Sequence, residues 1–182
     1  IDKSVSSLNQ NKTLKKVDSH YIIPNTPFVI QNGATLNIEP GVVIKLYNGA
    51  TLSADGIMKA EGTAADPIIF TSFKDDFYGG DTNQDNAITA PLPGDWGSIK
   101  IKSNGSILDR TIIKYGGLND FSASQWANLK IENAAFTLKN STIEESGVYG
   151  IWLINASGTI EGNTIRNNNQ GLSGIGIIAQ DG

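Results

Sequence analysis

A six-residue phrase returns three times in the second half of the chain: Ile107-Leu-Asp-Arg-Thr-Ile112, Leu138-Lys-Asn-Ser-Thr-Ile143 and Ile160-Glu-Gly-Asn-Thr-Ile165. A short unit that cannot bury its own apolar face must stack on copies of itself. The last two copies lie 22 residues apart, a spacing that fits one turn of a parallel β-helix. The first gap is 31, and the surplus is assigned to the polar, glycine-bearing stretch 116–127, expected as a loop extruded from one turn.

The remaining composition agrees with stacked strands. Glycine is abundant, with 20 residues, and no segment sustains apolar positions at i, i+3, i+4 and i+7, so helix should be scarce. A solenoid has no internal boundary at which contacts stop, and residues 1–182 are therefore read as a single β-helix domain. The net charge of −4 argues against a nucleic-acid partner, which calls for a basic surface. No apolar run approaches the roughly 18 residues of a membrane span. The absence of cysteine suits a reducing compartment and equally an exported bacterial protein.

Side chains alternate across a strand, so aligned strands predict the interior. Ile99, Ile101, Leu129, Ile131, Ile151, Leu153, Ile175 and Ile177 should point inward, with Lys100, Lys130 and Trp152 sharing an outer column. Aligned on the repeated phrase, Ile112, Ile143 and Ile165 point in. Thr111, Thr142 and Thr164 then form one outer ladder, and Ile113, Glu144 and Arg166 another. The first half repeats more loosely: Gly33-Ala-Thr-Leu36 returns as Gly49-Ala-Thr-Leu52, and Pro-Gly turns separate β-branched runs. About seven rungs at the inter-strand spacing make a rod about 35 Å long. Residues 1–20 are expected as an N-terminal strand or cap, because an uncovered edge invites aggregation.

Several phrases in the first half carry a resemblance to a known family. They are Tyr21-Ile-Ile, Gly33-Ala-Thr-Leu-Asn-Ile-Glu-Pro-Gly-Val-Val-Ile-Lys45, Ala65-Asp-Pro-Ile-Ile-Phe-Thr-Ser72, Asp81-Thr-Asn-Gln-Asp85 and Pro93-Gly-Asp-Trp-Gly97. In this order they resemble bacterial exported parallel β-helix repeat proteins of the pectin-lyase-like superfamily. The resemblance implies a single-stranded right-handed parallel β-helix, an extracellular or cell-surface location, and a structural or adhesive role. The superfamily also contains polysaccharide lyases and hydrolases, and fold alone does not choose among these.

The stretch 73–95 is the best candidate for a chemical site. It holds Asp75, Asp76, Asp81, Asn83, Asp85 and Asp95, and Asp81-x-Asn83-x-Asp85 sets three oxygen-bearing side chains at alternate positions, as a Ca²⁺ loop begins. The pattern departs from an EF-hand at Asn86, where glycine is usual, and at Leu92, where a bidentate glutamate belongs. Bound Ca²⁺ would draw its remaining ligands from elsewhere, with Asp75, Asp76 and Asp95 the nearest candidates; the alternative is a solvated acidic loop.

Catalysis by a lyase or hydrolase needs paired carboxylates or a base beside a cation. Asp109, Arg110, Lys114, Glu144, Glu145 and Arg166 are available, but a cross-strand ion pair accounts for Glu144 and Arg166 more simply. The lone His20 lies far in sequence from these charges and is read as incidental. For a polysaccharide or cell-surface glycan, Trp152 with Tyr115, Trp126 and Tyr149 offers flat rings beside polar groups. The alternative is that the 116–127 loop covers Trp152. The final stretch, Ile175 to Gly182, lacks a polar cap, which suits either a fragment of a longer surface protein or a fibre subunit stacking end to end.

Overall fold

The computed structural model describes residues 6–16, 20–118, 127–169 and 176–180. Its strands follow one another in threes. The first turn holds β1 (Ser7–Leu8), β2 (Lys12–Leu14) and β3 (Tyr21–Ile23), and the second β4 (Phe28–Ile30), β5 (Thr35–Ile38) and β6 (Val43–Leu46). The third holds β7 (Leu52–Ala54), β8 (Ile57–Glu61) and β9 (Ile68–Ser72), and the fourth β10 (Ile99–Ile101), β11 (Ser106–Asp109) and β12 (Thr111–Lys114). The fifth is β13 (Ala127–Glu132), β14 (Ala135–Lys139) and β15 (Thr142–Glu144), the sixth β16 (Tyr149–Ile154), β17 (Ser157–Glu161) and β18 (Thr164–Arg166). Strand β19 (Ile177–Gln180) opens a seventh.

Each strand pairs in parallel with its counterpart one turn away. The result is a seven-stranded first sheet (β1, β4, β7, β10, β13, β16, β19), a six-stranded second sheet ending at β2 and β17, and a six-stranded third sheet ending at β3 and β18. This is the parallel β-helix of about seven rungs that the repeats imply. The described residues contain no helix long and apolar enough to cross a membrane.

Inside, aliphatic columns run along the axis. In the first sheet Leu52, Ile99, Leu129 and Ile151 stack in register, beside Ala54, Ile101 and Ile131, and all seven are fully buried. Removing such side chains from water contributes about 1.5–3 kcal/mol each. The core thins at the last turn, where Leu153 and Ile165 are half-buried and Ile160 and Ile177 are exposed. The outer column Lys100, Lys130, Trp152 is present as expected, but Ile177 pairs with Ile151 and not with Leu153, two residues from the expected register. Ile175 lies outside the described residues.

The repeated phrase gives the wrong register for its first copy. Ile113, not Ile112, stacks on Ile143 and Ile165, while Ile112 pairs with Thr142. Ile113 is fully buried and Ile112 only half so; Thr111, expected on the outside, is buried with its hydroxyl on Ser141 Oγ at 3.1 Å. The corner decides this. Arg110 (φ 49°), Asn140 (φ 49°) and Gly162 (φ 66°) share one left-handed position, so the true offset is one residue less than the letters suggest. With a side-chain period of two, that single step turns every residue of the strand over. The outer ladder therefore reads Lys114, Glu144, Arg166.

Asparagine side chains tie successive corners together. Asn163 Oδ1 accepts from Ser141 N at 2.8 Å, Asn168 Oδ1 from Ser146 N at 3.0 Å, and Asn155 Nδ2 donates to Asn133 Oδ1 at 3.2 Å. The 73–98 insertion leaves from the corner between the third sheet and the first, joining β9 to β10; of the second expected loop, residues 119–126 lie outside the described residues.

Candidate functional site

The 73–95 insertion is fastened to the outer wall of the third sheet before it makes any site. At its start Asp75, almost fully buried, accepts from the Thr71 hydroxyl and from Phe77 N at 3.1 Å. At its end Asp95 accepts from Ser72 Oγ and Lys74 Nζ, each at 2.7 Å, and from Leu92 N at 3.0 Å. Trp96 follows, fully buried, its Nε1 donating to Lys114 O at 2.9 Å. A side chain at Gly116 would place its Cβ 2.8 Å from the indole, so glycine alone fits there. Gly94 N donates to Gly116 O and Gly117 N to Gly97 O, returning the chain to the stack.

Two side chains from earlier turns hold the middle. Lys45, on β6 and fully buried, donates from Nζ to Gly80 O and to Thr82 Oγ1, both at 2.5 Å. His20 Nδ1 donates to Gly79 O at 3.0 Å. Burial pushes the His20 imidazole below its ordinary pKa, and burial does the same to the Lys45 ammonium against the pull of Asp75, Asp76 and Asp81.

Over this frame Asp76, Asp81 and Asp85 bring carboxylate oxygens within 4.8 Å of one another. Asp81 accepts from Asp85 N at 3.2 Å and Asn86 N at 3.0 Å, which curls the loop around it. Asp85 accepts from Ile88 N, Thr89 N and the Thr89 hydroxyl, and from Asn83 Nδ2 at 2.8 Å. Gln84, Asn86 and Ala87 all carry left-handed backbone, a conformation that costs non-glycine residues on the order of 1 kcal/mol or more each. Hydrogen bonds from Thr89 hold the Asp85 carboxyl below the usual range, whereas burial, then Asp81 and Asp85, push Asp76 above it. Two oxygens are sealed from solvent without a hydrogen-bond partner, Asp76 Oδ1 and Asn83 Oδ1.

Of the six residues expected around a cation, Asp76, Asp81 and Asp85 converge, with Asn83 bonded to Asp85. Asp75 and Asp95 do not join them, because their oxygens anchor the two ends of the insertion. Lys45 was not among the residues that sequence reasoning singled out, and His20, read there as incidental, also contacts the insertion. Lys45 sits at an outward position of an apolar strand, and only the packed insertion explains its burial.

Among the described residues the aromatic candidates do not form an open platform. Trp152 occupies the outer column but is 8% exposed, with Lys130 Nζ 4.3 Å from its ring centroid, Tyr149 edge-on at 5.8 Å and Gln180 Oε1 accepting from Nε1. Tyr115 and Tyr149 are half-buried, and Lys114 lies 4.6 Å from the Tyr115 ring centroid. Trp126 lies outside the described residues.

Beside the insertion, Glu144 bridges Lys114 at 3.3 Å and Arg166 Nε at 2.8 Å. Burial opposes its ionisation, but the Arg166 hydrogen bond and the Lys114 charge outweigh it and hold the carboxyl below its ordinary range. The stability this contributes is complete above the unfolded carboxylate range and is lost as pH falls through the depressed folded value. Glu144→Gln is expected to weaken the acid-induced loss of stability, read as the difference between urea midpoints at about pH 6 and about pH 3. An unchanged difference would remove Glu144 from the acid response.

With this geometry in hand, residues 6–151 match the family model of the pectate-lyase-like β-helix domain. The chain belongs to that family. No curated protein and no solved structure gives a significant match. The matched span of the pectate-lyase-like domain contains the whole insertion, its anchors on β6 and β9, and both Lys114 and Glu144.

Proposed function

We propose that this pectate-lyase-like β-helix domain is a structural module of a secreted or cell-surface bacterial protein, whose acidic insertion is organised by a bound Ca²⁺. The observation that carries the reading is the convergence of Asp76, Asp81 and Asp85 beside two sealed, unpartnered oxygens. An acceptor sealed from water with no partner is unfavourable, and a hard cation seeking six to eight oxygens supplies the missing partner. Lys45 is a cation close to this group, and one ammonium does not balance the three carboxylates of Asp76, Asp81 and Asp85. A structural role is supported further by Lys114 and Arg166, whose charges are committed to Glu144 where a proton-abstracting base would need to be free. The burial of Trp152 removes the main ring of a glycan platform and so favours the structural over the adhesive variant of this reading.

Calcium at about one hundred times its dissociation constant stabilises a native-only site by about 2.7 kcal/mol, a rise of about 5–10 °C in a chain of this size. The melting temperature is expected to rise by that amount between excess chelator and millimolar Ca²⁺, and Asp81→Asn to abolish the rise. Superimposable melting curves in chelator and in Ca²⁺ would overturn the proposal.

A further inference from the structure

The chain contains three Asn-Gly pairs, Asn32-Gly33, Asn48-Gly49 and Asn104-Gly105, and each lies at a corner of the solenoid. All three glycines are left-handed, with φ of 85°, 73° and 86°, and nothing lies within 4 Å of where a Cβ would sit. Steric access therefore does not separate them. Their hydrogen bonds do. Asn104 Oδ1 accepts from Ala135 N at 2.7 Å, and Gly105 N donates to Ala135 O at 3.0 Å, so the next turn grips both the side-chain amide and the adjacent main-chain nitrogen. At the other two corners the closing bond runs between the flanking residues, Ala34 N to Gln31 O at 3.0 Å and Ala50 N to Tyr47 O at 2.9 Å. The side chains of Asn32 and Asn48 are exposed, and among the described residues neither they nor Gly33 N and Gly49 N have a hydrogen-bond partner.

We propose that Asn32 and Asn48 are sites of spontaneous conversion to aspartate and isoaspartate, and that Asn104, with the same local sequence, is protected by the turn stacked on it. In the first step the glycine nitrogen attacks Cγ of the asparagine. A new C–N bond forms, the Cγ–Nδ2 bond breaks, and the glycine amide proton leaves with the amino group as ammonia. Water then adds to one of the two carbonyls of the cyclic imide and cleaves its bond to nitrogen. Opening on the side-chain carbonyl gives aspartate; opening on the main-chain carbonyl gives isoaspartate, with an extra methylene in the backbone. No oxidant or enzyme is required. Glycine favours the attack because it lacks the Cβ that would hinder approach of its nitrogen. At Asn104 two native hydrogen bonds must break first, and at ordinary hydrogen-bond strengths that slows the reaction by at least about tenfold.

The consequences differ by position. Each conversion adds a negative charge to a chain of net charge −4. At residue 32 the new carboxylate faces a polar groove lined by Asp55, Lys102, Ser103, Asn104 and Asn133, so it gathers beside an existing carboxylate on the same wall. At residue 48 it lies on the loop between β6, which carries Lys45, and β7.

The test is incubation of the whole folded chain at mildly alkaline pH and body temperature for several weeks, with peptide mapping by mass spectrometry for the amide-to-acid increment and for isoaspartate. A parallel sample is held in concentrated urea. In the unfolded chain all three sites are expected to convert at similar rates. In the folded chain Asn32 and Asn48 are expected to convert at least about tenfold faster than Asn104. Conversion of Asn104 at the pace of the other two in the folded protein would overturn the proposal. So would survival of Asn32 and Asn48 in the folded protein while the urea sample converts, or a rate difference among the sites that persists in urea.

Discussion

Trp96→Ala is expected to destabilise the protein by roughly 3–5 kcal/mol, measured as a fall in the urea midpoint without a matching change in slope. The indole is fully buried, donates to Lys114 O, and lies against a glycine that leaves room for nothing else. Its loss opens a large cavity where the insertion rejoins the stack, and it strands a main-chain carbonyl of β12. Trp96→Phe retains most of the packing and removes only the hydrogen bond, so its cost should be markedly smaller. A loss below about 1 kcal/mol for the alanine variant would mean that the insertion does not share the core of the solenoid.

The second large effect separates two adjacent isoleucines. Ile113→Ala is expected to cost about 2–5 kcal/mol, because Ile113 fills the axial column between Phe70 and Ile143. Ile112→Ala removes a half-buried side chain from the outer wall and should cost less than about 1 kcal/mol. Alignment on the repeated phrase makes the opposite assignment, with Ile112 inside. Equal costs, or a larger cost at Ile112, would restore the phrase-based register.

The stacked architecture was legible because its signal is redundant. Strand after strand carries the same alternation, and the paired columns of Ile99, Ile101, Leu129, Ile131 and Ile151 follow from it directly. Letter identity in Thr-Ile does not track register here. A left-handed corner at Arg110 aligns with Asn140 and Gly162, three unlike residues, and backbone conformation fixes register where side-chain similarity does not. Arginine at such a corner carries no sequence signal of its φ.

The insertion was legible as an acidic, polar departure from the repeat, and its convergent carboxylates were among those named. The division of labour within it was not. Asp75 and Asp95 look like Asp76 and Asp81 in sequence, and only their hydrogen bonds to Thr71, Ser72 and Lys74 separate anchors from the cluster. Lys45 and His20 come from turns far away in sequence, and contacts of that kind are made by stacking, which no local pattern records. Alternation puts Trp152 on the outer wall, where it lies, but tells only which way a ring points and not whether Lys130, Tyr149 and Gln180 close over it.

Successive turns stack in register along one axis, with Ile113, Ile143 and Ile165 in a single column. Methyl-to-methyl nuclear Overhauser contacts in a sample labelled at isoleucine test this stacking directly. The structure predicts contacts from Ile113 to Ile143 and from Ile143 to Ile165, with Ile112 reporting instead on Thr142. Contacts from Ile112 to Ile143, or none linking the three turns, would contradict the stacking from which the core, the insertion and the cation site are all argued.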